Sequence, residues 1–105
     1  MNTNHTIRVL GIDAALRTTG YGVVDCAQGT YKTVDCGIIT TTKSQPMSEC
    51  MRRLNGGIRE LLETYAPDVV SIEGGFFHKN ARTAMVLGMA RGAILAAVAE
   101  RPGVR

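Results

Sequence analysis

An α/β fold with a mixed sheet in the order β-β-β-α-β-α is predicted by three observations. Short apolar runs bounded by turn residues fill the first part of the chain. A long stretch of apolar residues at helical spacing follows. A further apolar run, ending in an acid, then leads into a second helical stretch. The first strand is predicted over residues 6–13, Thr6-Ile-Arg-Val-Leu-Gly-Ile-Asp13, and a polar turn from Ala14 to Thr19 closes it. The second strand, near 20–26, returns beside it. Gln28-Gly29 marks a tight turn into the third, near 31–40, and Thr40 to Gln45 is a polar connector.

The first helix is predicted from Pro46 to Tyr65, with Met47, Cys50, Met51, Leu54, Ile58, Leu61, Leu62 and Tyr65 at helical spacing. Pro46 suits a first turn, where its missing N–H is not needed. Gly56-Gly57 cost about 1 kcal/mol each relative to Ala; they either let the helix lie close on the sheet or weaken it. Pro67 stops the helix, and Val69–Glu73 forms the fourth strand. The second helix should run from Asn80, as N-cap, to Glu100. Its small residues, among them Ala84, Gly88, Ala90, Gly92 and Ala93, are expected to pack in part on the sheet.

A chain of 105 residues is one domain, spanning 1–105, and 45% hydrophobic residues suffice for a small core. The reading finds no apolar run near the roughly 20 residues needed to span a bilayer, and hence no membrane partner. Met1-Asn-Thr-Asn-His-Thr6 lacks the layout of a signal peptide. Cys26, Cys36 and Cys50 are odd in number and lack Cys-x-x-Cys spacing. They are expected to be reduced, mostly buried thiols of a cytoplasmic protein. With His5 and His78 they do not make a zinc site.

The net charge is +3. Its excess lies in the second half, and from Phe76 to Gly92 the charges are Lys79, Arg82 and Arg91 with no acid. A one-signed segment suits a phosphate backbone; a solvated helix face is the plainer reading.

The densest chemistry runs from Glu73 to Asn80. A carboxylate ends the apolar run, Gly74-Gly75 follow, then Phe76-Phe77, then a basic helix entrance. Glu73 could hold a cation, the rings could stack on bases, and the basic side chains could meet phosphates. The alternative is a strand end, a glycine turn and two core aromatics. Asp13 ends its own apolar run, either as a partner acid for Glu73 or as a turn residue closing the hairpin.

Gly11-Ile-Asp13, Arg17-Thr-Thr-Gly-Tyr-Gly22, Arg53-Leu54, Pro67-Asp68, Ile72-Glu73, Phe76, Lys79-Asn80, Ala84, Leu87-Gly88 and Ala90-Arg-Gly92 follow one another in this sequence. That series resembles the RuvC family of Holliday-junction resolvases. The resemblance implies a ribonuclease H-like fold, a homodimer with the second helix near its contact, Mg²⁺-dependent cleavage and four-way DNA junctions as substrate. It implies a branch-migration helicase complex as a further partner. Asp13 and Glu73 would be catalytic metal ligands, with Asp13 bridging two Mg²⁺ ions about 4 Å apart and Glu73 holding one. Phe76, Phe77, Lys79, Asn80, Arg82 and Arg91 would touch DNA.

Two departures stand out. Ala14-Ala15 occupy the place of the family's usual Pro-Gly, which alters the turn beside the metal. The family also continues through another strand and final helices with further ligands, so the chain reads as a resolvase truncated before them and inactive by itself. A noncatalytic junction-binding module of the same fold is the runner-up. Actin-like and sugar-kinase ATPases also open with a Gly-x-Asp hairpin, but the turn from Ala14 to Thr19 has no glycine to admit a phosphate.

Overall fold

The computed structural model describes residues 5–73, 81–101 and 103–104. The elements follow in the predicted order: β1 Ile7–Asp13, β2 Thr18–Ala27, β3 Thr30–Thr40, α1 Met47–Tyr65, β4 Val69–Glu73 and α2 Ala81–Ala99. Pro46 is the N-cap of α1 rather than part of its first turn. Gln28 and Gly29 turn the chain between β2 and β3 with φ of 48° and 80°.

The sheet order is β3-β2-β1-β4. β1 pairs antiparallel with β2 and parallel with β4, so the sheet is mixed. Two tight reversals make the antiparallel part. The parallel step needs a long crossover, which α1 supplies.

Strand alternation divides the side chains between two faces. Leu10, Ile12, Val23 and Ile39 turn to the helices and join one buried cluster with Leu54, Ile58, Leu61 and Leu62 of α1 and Ala90, Ile94 and Ala97 of α2. Gly57 explains how closely α1 lies on β3. A Cβ there would stand 2.9 Å from Ile39 Cδ1, whereas one at Gly56 would meet nothing within 4 Å. Close approach is therefore the role of Gly57 alone.

Polar groups pin the far end of this face. Arg8 forks onto Asp25, Nε to Oδ1 at 2.8 Å and Nη2 to Oδ2 at 3.0 Å, and Nη1 donates to the Tyr65 carbonyl at 3.1 Å. The Arg8 N–H donates to Asp68 Oδ2 at 2.8 Å. One side chain thus ties β1, β2 and the end of α1, while its backbone holds the entry to β4. The Arg8 guanidinium holds the Asp25 carboxyl below its ordinary range.

Three expectations need correction. α2 lies chiefly against α1, not on the sheet. Ala90 and Ala97 are buried in the core, whereas Gly88 and Gly92 are exposed with room for a side chain, and Asn55 Nδ2 on α1 donates to the Ala93 carbonyl at 2.9 Å. α2 is also 19 residues long and apolar enough, by length and composition, to cross a bilayer. Arg82 and Arg91 interrupt that run without offsetting its alanines, and its buried side joins the core. Of the three thiols only Cys50 is buried, while Cys26 is half-buried and Cys36 exposed. Cys36 pairs with Gly22 on the face of the sheet left uncovered among the described residues.

Candidate active site

The uncovered face carries the site. Asp13 and Glu73 are direct Cα partners at the last rung of the parallel β1–β4 ladder. Neighbouring strands lie about 4.8 Å apart, and paired residues in a parallel ladder point to the same side. Both carboxylates are exposed. Among the described residues neither takes part in an ion pair. The Ala14 N–H donates to the Glu73 carbonyl at 2.9 Å, so the backbones stay joined one residue beyond Asp13.

An open cleft of about 380 Å³ surrounds the pair, lined by Gly11, Asp13, Gly20, Gly22, Ser71 and Glu73 together with Ile12 and Tyr21. Gly11 and Ser71 precede the acids by two residues on the same face. Gly20 lies opposite Asp13, and a Cβ at Gly20 would stand 3.9 Å from Asp13 Cβ. These small residues keep space beside the carboxylates. The sequence reading missed them as a group. The spacings Gly-x-Asp, Ser-x-Glu and Gly-x-Gly on three neighbouring strands were the available signal, since period two puts each pair on one face.

Two adjacent oxygen donors and a roomy, small-lined cleft fit a hydrated divalent cation such as Mg²⁺, which takes carboxylate ligands and keeps several waters. Among the described residues no group of three or more His, Cys, Asp or Glu side chains comes together. Glu100 is not a third acid for this site, because it pairs with Arg59 on the helix side at 3.0 Å.

Of the remaining predicted residues only Arg82 and Arg91 are described, and neither lines the cleft. Phe76, Phe77, Lys79 and Asn80 lie outside the described residues. Arg82 is exposed and Arg91 half-buried on α2. They are nine residues apart, about 2.5 helical turns, so they leave opposite sides of the helix.

A second carboxylate cluster sits on the helix face. Asp35 Oδ2 accepts from the Tyr65 hydroxyl and, at 3.4 Å, from the Tyr21 hydroxyl. The Tyr65 hydrogen bond holds the Asp35 carboxyl below its ordinary value, and the Tyr65 phenol is raised in return. These partners mark a structural carboxylate, unlike Asp13 and Glu73.

Comparison with known proteins identifies the family to which the chain belongs. The sequence profile of the family described as crossover junction endodeoxyribonuclease RuvC matches residues 9–104. A protein of that name from Azorhizobium caulinodans is 41% identical over 99 residues, 93% of this chain and 58% of the relative. One from Chloroflexus aggregans is 40% identical over 94 residues, 90% of this chain and 57% of the relative. The chain therefore spans somewhat over half the length of these curated relatives. The structure of T. thermophilus RuvC in complex with a Holliday junction substrate superposes with a TM-score of 0.82 at 29% identity, covering 90% of this chain and 59% of that one. With a family match over nearly its whole length and a fold that superposes on that solved structure, this chain belongs to the RuvC family of crossover junction endodeoxyribonucleases.

Proposed function

We propose that this chain supplies two of the metal-binding acids of a Mg²⁺-dependent endonuclease that cuts four-way DNA junctions in recombination and repair. The observation that carries the reading is the pairing of Asp13 with Glu73 on the uncovered face. Hydrolysis of a phosphodiester needs an activated water and a stabilised leaving oxygen, and bound Mg²⁺ supplies both. Asp13 and Glu73 hold the cation, and the small residues of the cleft admit the DNA backbone.

Phe76 stacks on or wedges at a base near the crossover, with Phe77 as the alternative, and such stacking is worth about 1–3 kcal/mol per base. Lys79, Asn80, Arg82 and Arg91 contact phosphates. Because Arg82 and Arg91 leave opposite sides of α2, they serve different strands or different arms. The working protein is a cytoplasmic homodimer and joins a branch-migration helicase complex.

Two acids leave the cation cage incomplete, so the 105-residue polypeptide by itself should not cut four-way junctions in Mg²⁺. The test is a chimera continuing into the remaining length of the Azorhizobium relative. It should cut junctions, and Asp13→Asn and Glu73→Gln should each abolish cutting while leaving junction binding intact. Near wild-type turnover by either variant at the same Mg²⁺ concentration would show the metal assignment wrong. A chimera that binds junctions but never cuts would favour the noncatalytic reading.

A further inference from the structure

We infer that Thr19 is a positioning residue, whose buried hydroxyl fixes the turn after β1 and so sets Asp13 opposite Glu73. The inference rests on reading Asp13 and Glu73 as a cation-binding pair. Thr19 and Thr41 are the buried polar residues of the described structure, at 0% and 8% exposure. Both spend their hydroxyls on the same four-residue turn. Ala15 N–H donates to Thr19 Oγ1 at 3.2 Å, and that hydroxyl donates back to the Ala15 carbonyl at 2.5 Å. Thr41 Oγ1 donates to the Leu16 carbonyl at 2.6 Å, and the Thr41 N–H donates to the Arg17 carbonyl at 3.0 Å. Arg17 Nη1 in turn reaches the Thr42 carbonyl at 2.9 Å.

With the Ala14 bond to Glu73, every residue from Ala14 to Arg17 has a backbone group held by a specific partner. Nothing in the local sequence would otherwise do this. Ala14-Ala15 offer neither proline to fix φ nor a side chain to bond the turn. Thr19 is also the link between faces. Its side chain is buried against the turn, while the next residue, Gly20, lies opposite Asp13 in the open cleft. A turn free to shift would loosen the Ala14 bond to Glu73 at the end of the ladder and let the Asp13 carboxylate turn away from its partner. The hydroxyl acts through the backbone and touches no ligand itself.

The experiment titrates the 105-residue chain with Mn²⁺ and follows free Mn²⁺ by electron paramagnetic resonance, well below each variant's unfolding temperature. Wild type should bind Mn²⁺, and Asp13→Asn should not. Thr19→Val, which keeps the shape and removes the hydroxyl, should bind roughly tenfold more weakly, the usual scale for loss of a group that orients a ligand. Thr19→Ser should restore binding. Unchanged affinity in Thr19→Val, or equal loss in Thr19→Ser, would overturn the inference; a lowered unfolding temperature with unchanged affinity means the hydroxyl only stabilises. Should Thr19→Val fail to fold, Thr41→Val decides: weaker binding by the folded variant supports the inference and unchanged binding overturns it. Should the 105-residue chain bind no Mn²⁺, the same variants are compared in the chimera; if the chimera binds none, or Asp13→Asn binds as wild type does, the acid-pair reading fails and this inference falls with it.

Discussion

The two faces of the sheet are built from the same strands, residue by alternate residue, yet obey opposite rules. On the helix face Leu10, Ile12, Val23 and Ile39 are packed until Gly57 is needed to admit Ile39. Even its charges are spent, Asp25 on Arg8 and Asp35 on two phenols. On the other face Gly11, Gly20, Gly22 and Ser71 hold space open around two like charges. Packing and pairing stabilise the first face. The second sets unneutralised carboxylates side by side, an arrangement that contributes nothing to stability and makes sense as a place for a cation.

If this division is right, parity along a strand predicts the effect of a mutation. The largest contrast should be Leu10→Ala against Ser71→Ala. Leu10 is fully buried, so its truncation should cost about 2–5 kcal/mol in urea unfolding. Ser71 is exposed, and its change should stay within about 0.5 kcal/mol. A costly Ser71→Ala would break the division. It is sharpened by Asp13→Asn, which removes one of two neighbouring like charges and should leave the unfolding temperature unchanged or higher.

The next contrast lies within α1. Gly57→Ala puts a methyl 2.9 Å from Ile39 Cδ1. Overpacking of this kind costs about 1–3 kcal/mol, set against about 1 kcal/mol of regained helix propensity. Gly56→Ala meets nothing within 4 Å and should stabilise by about 1 kcal/mol. Equal effects at the two positions would mean that α1 does not rest on β3 as closely as its contacts require.

Element order, and the meeting of Asp13 with Glu73, were legible because each rests on local pattern. Apolar runs ending in acids at strand termini say where the acids stand, and the parallel crossover brings those termini together. The rest depended on partners far along the chain. Gly57 reads equally as a point of close approach and as a weak point until Ile39 lies under it. Thr19 and Thr41 read as ordinary polar residues until the fold buries them against the turn. The apolar character of α2 reads as sheet packing, because spacing alone cannot say that α1 already fills that place. Arg82 and Arg91 read as one basic patch in a count of charges, and only helical phase separates them. Phe76 and Phe77, where the reading of stacking against core was most open, lie outside the described residues.

The smallest expected effect is a pH dependence carried by the helix face. Asp35 is held below its ordinary value of 3.8 first by the Tyr65 hydroxyl, then by the Cys36 N–H at 2.8 Å. A carboxyl with a lowered folded pKa binds its proton less readily when folded. Its contribution to stability is therefore present above about pH 3.8 and lost as pH falls through the folded value. Asp25 behaves in the same direction through Arg8. The phenols give the opposite limb. Tyr65, raised above 10.0 by the Asp35 bond, and Tyr21, raised first by burial, contribute stability below about pH 10 that is lost as pH rises through their folded values. Tyr65→Phe should therefore flatten the stability profile at both extremes, by freeing Asp35 at the acid end and deleting the phenol at the alkaline end. Asp35→Asn should do the same with the phenols intact. Unfolding temperatures of the three proteins from pH 2.5 to 11 measure both limbs. A Tyr65→Phe profile parallel to wild type would show that the hydroxyl bond carries no proton linkage, and that this carboxylate is no more spent than those across the sheet.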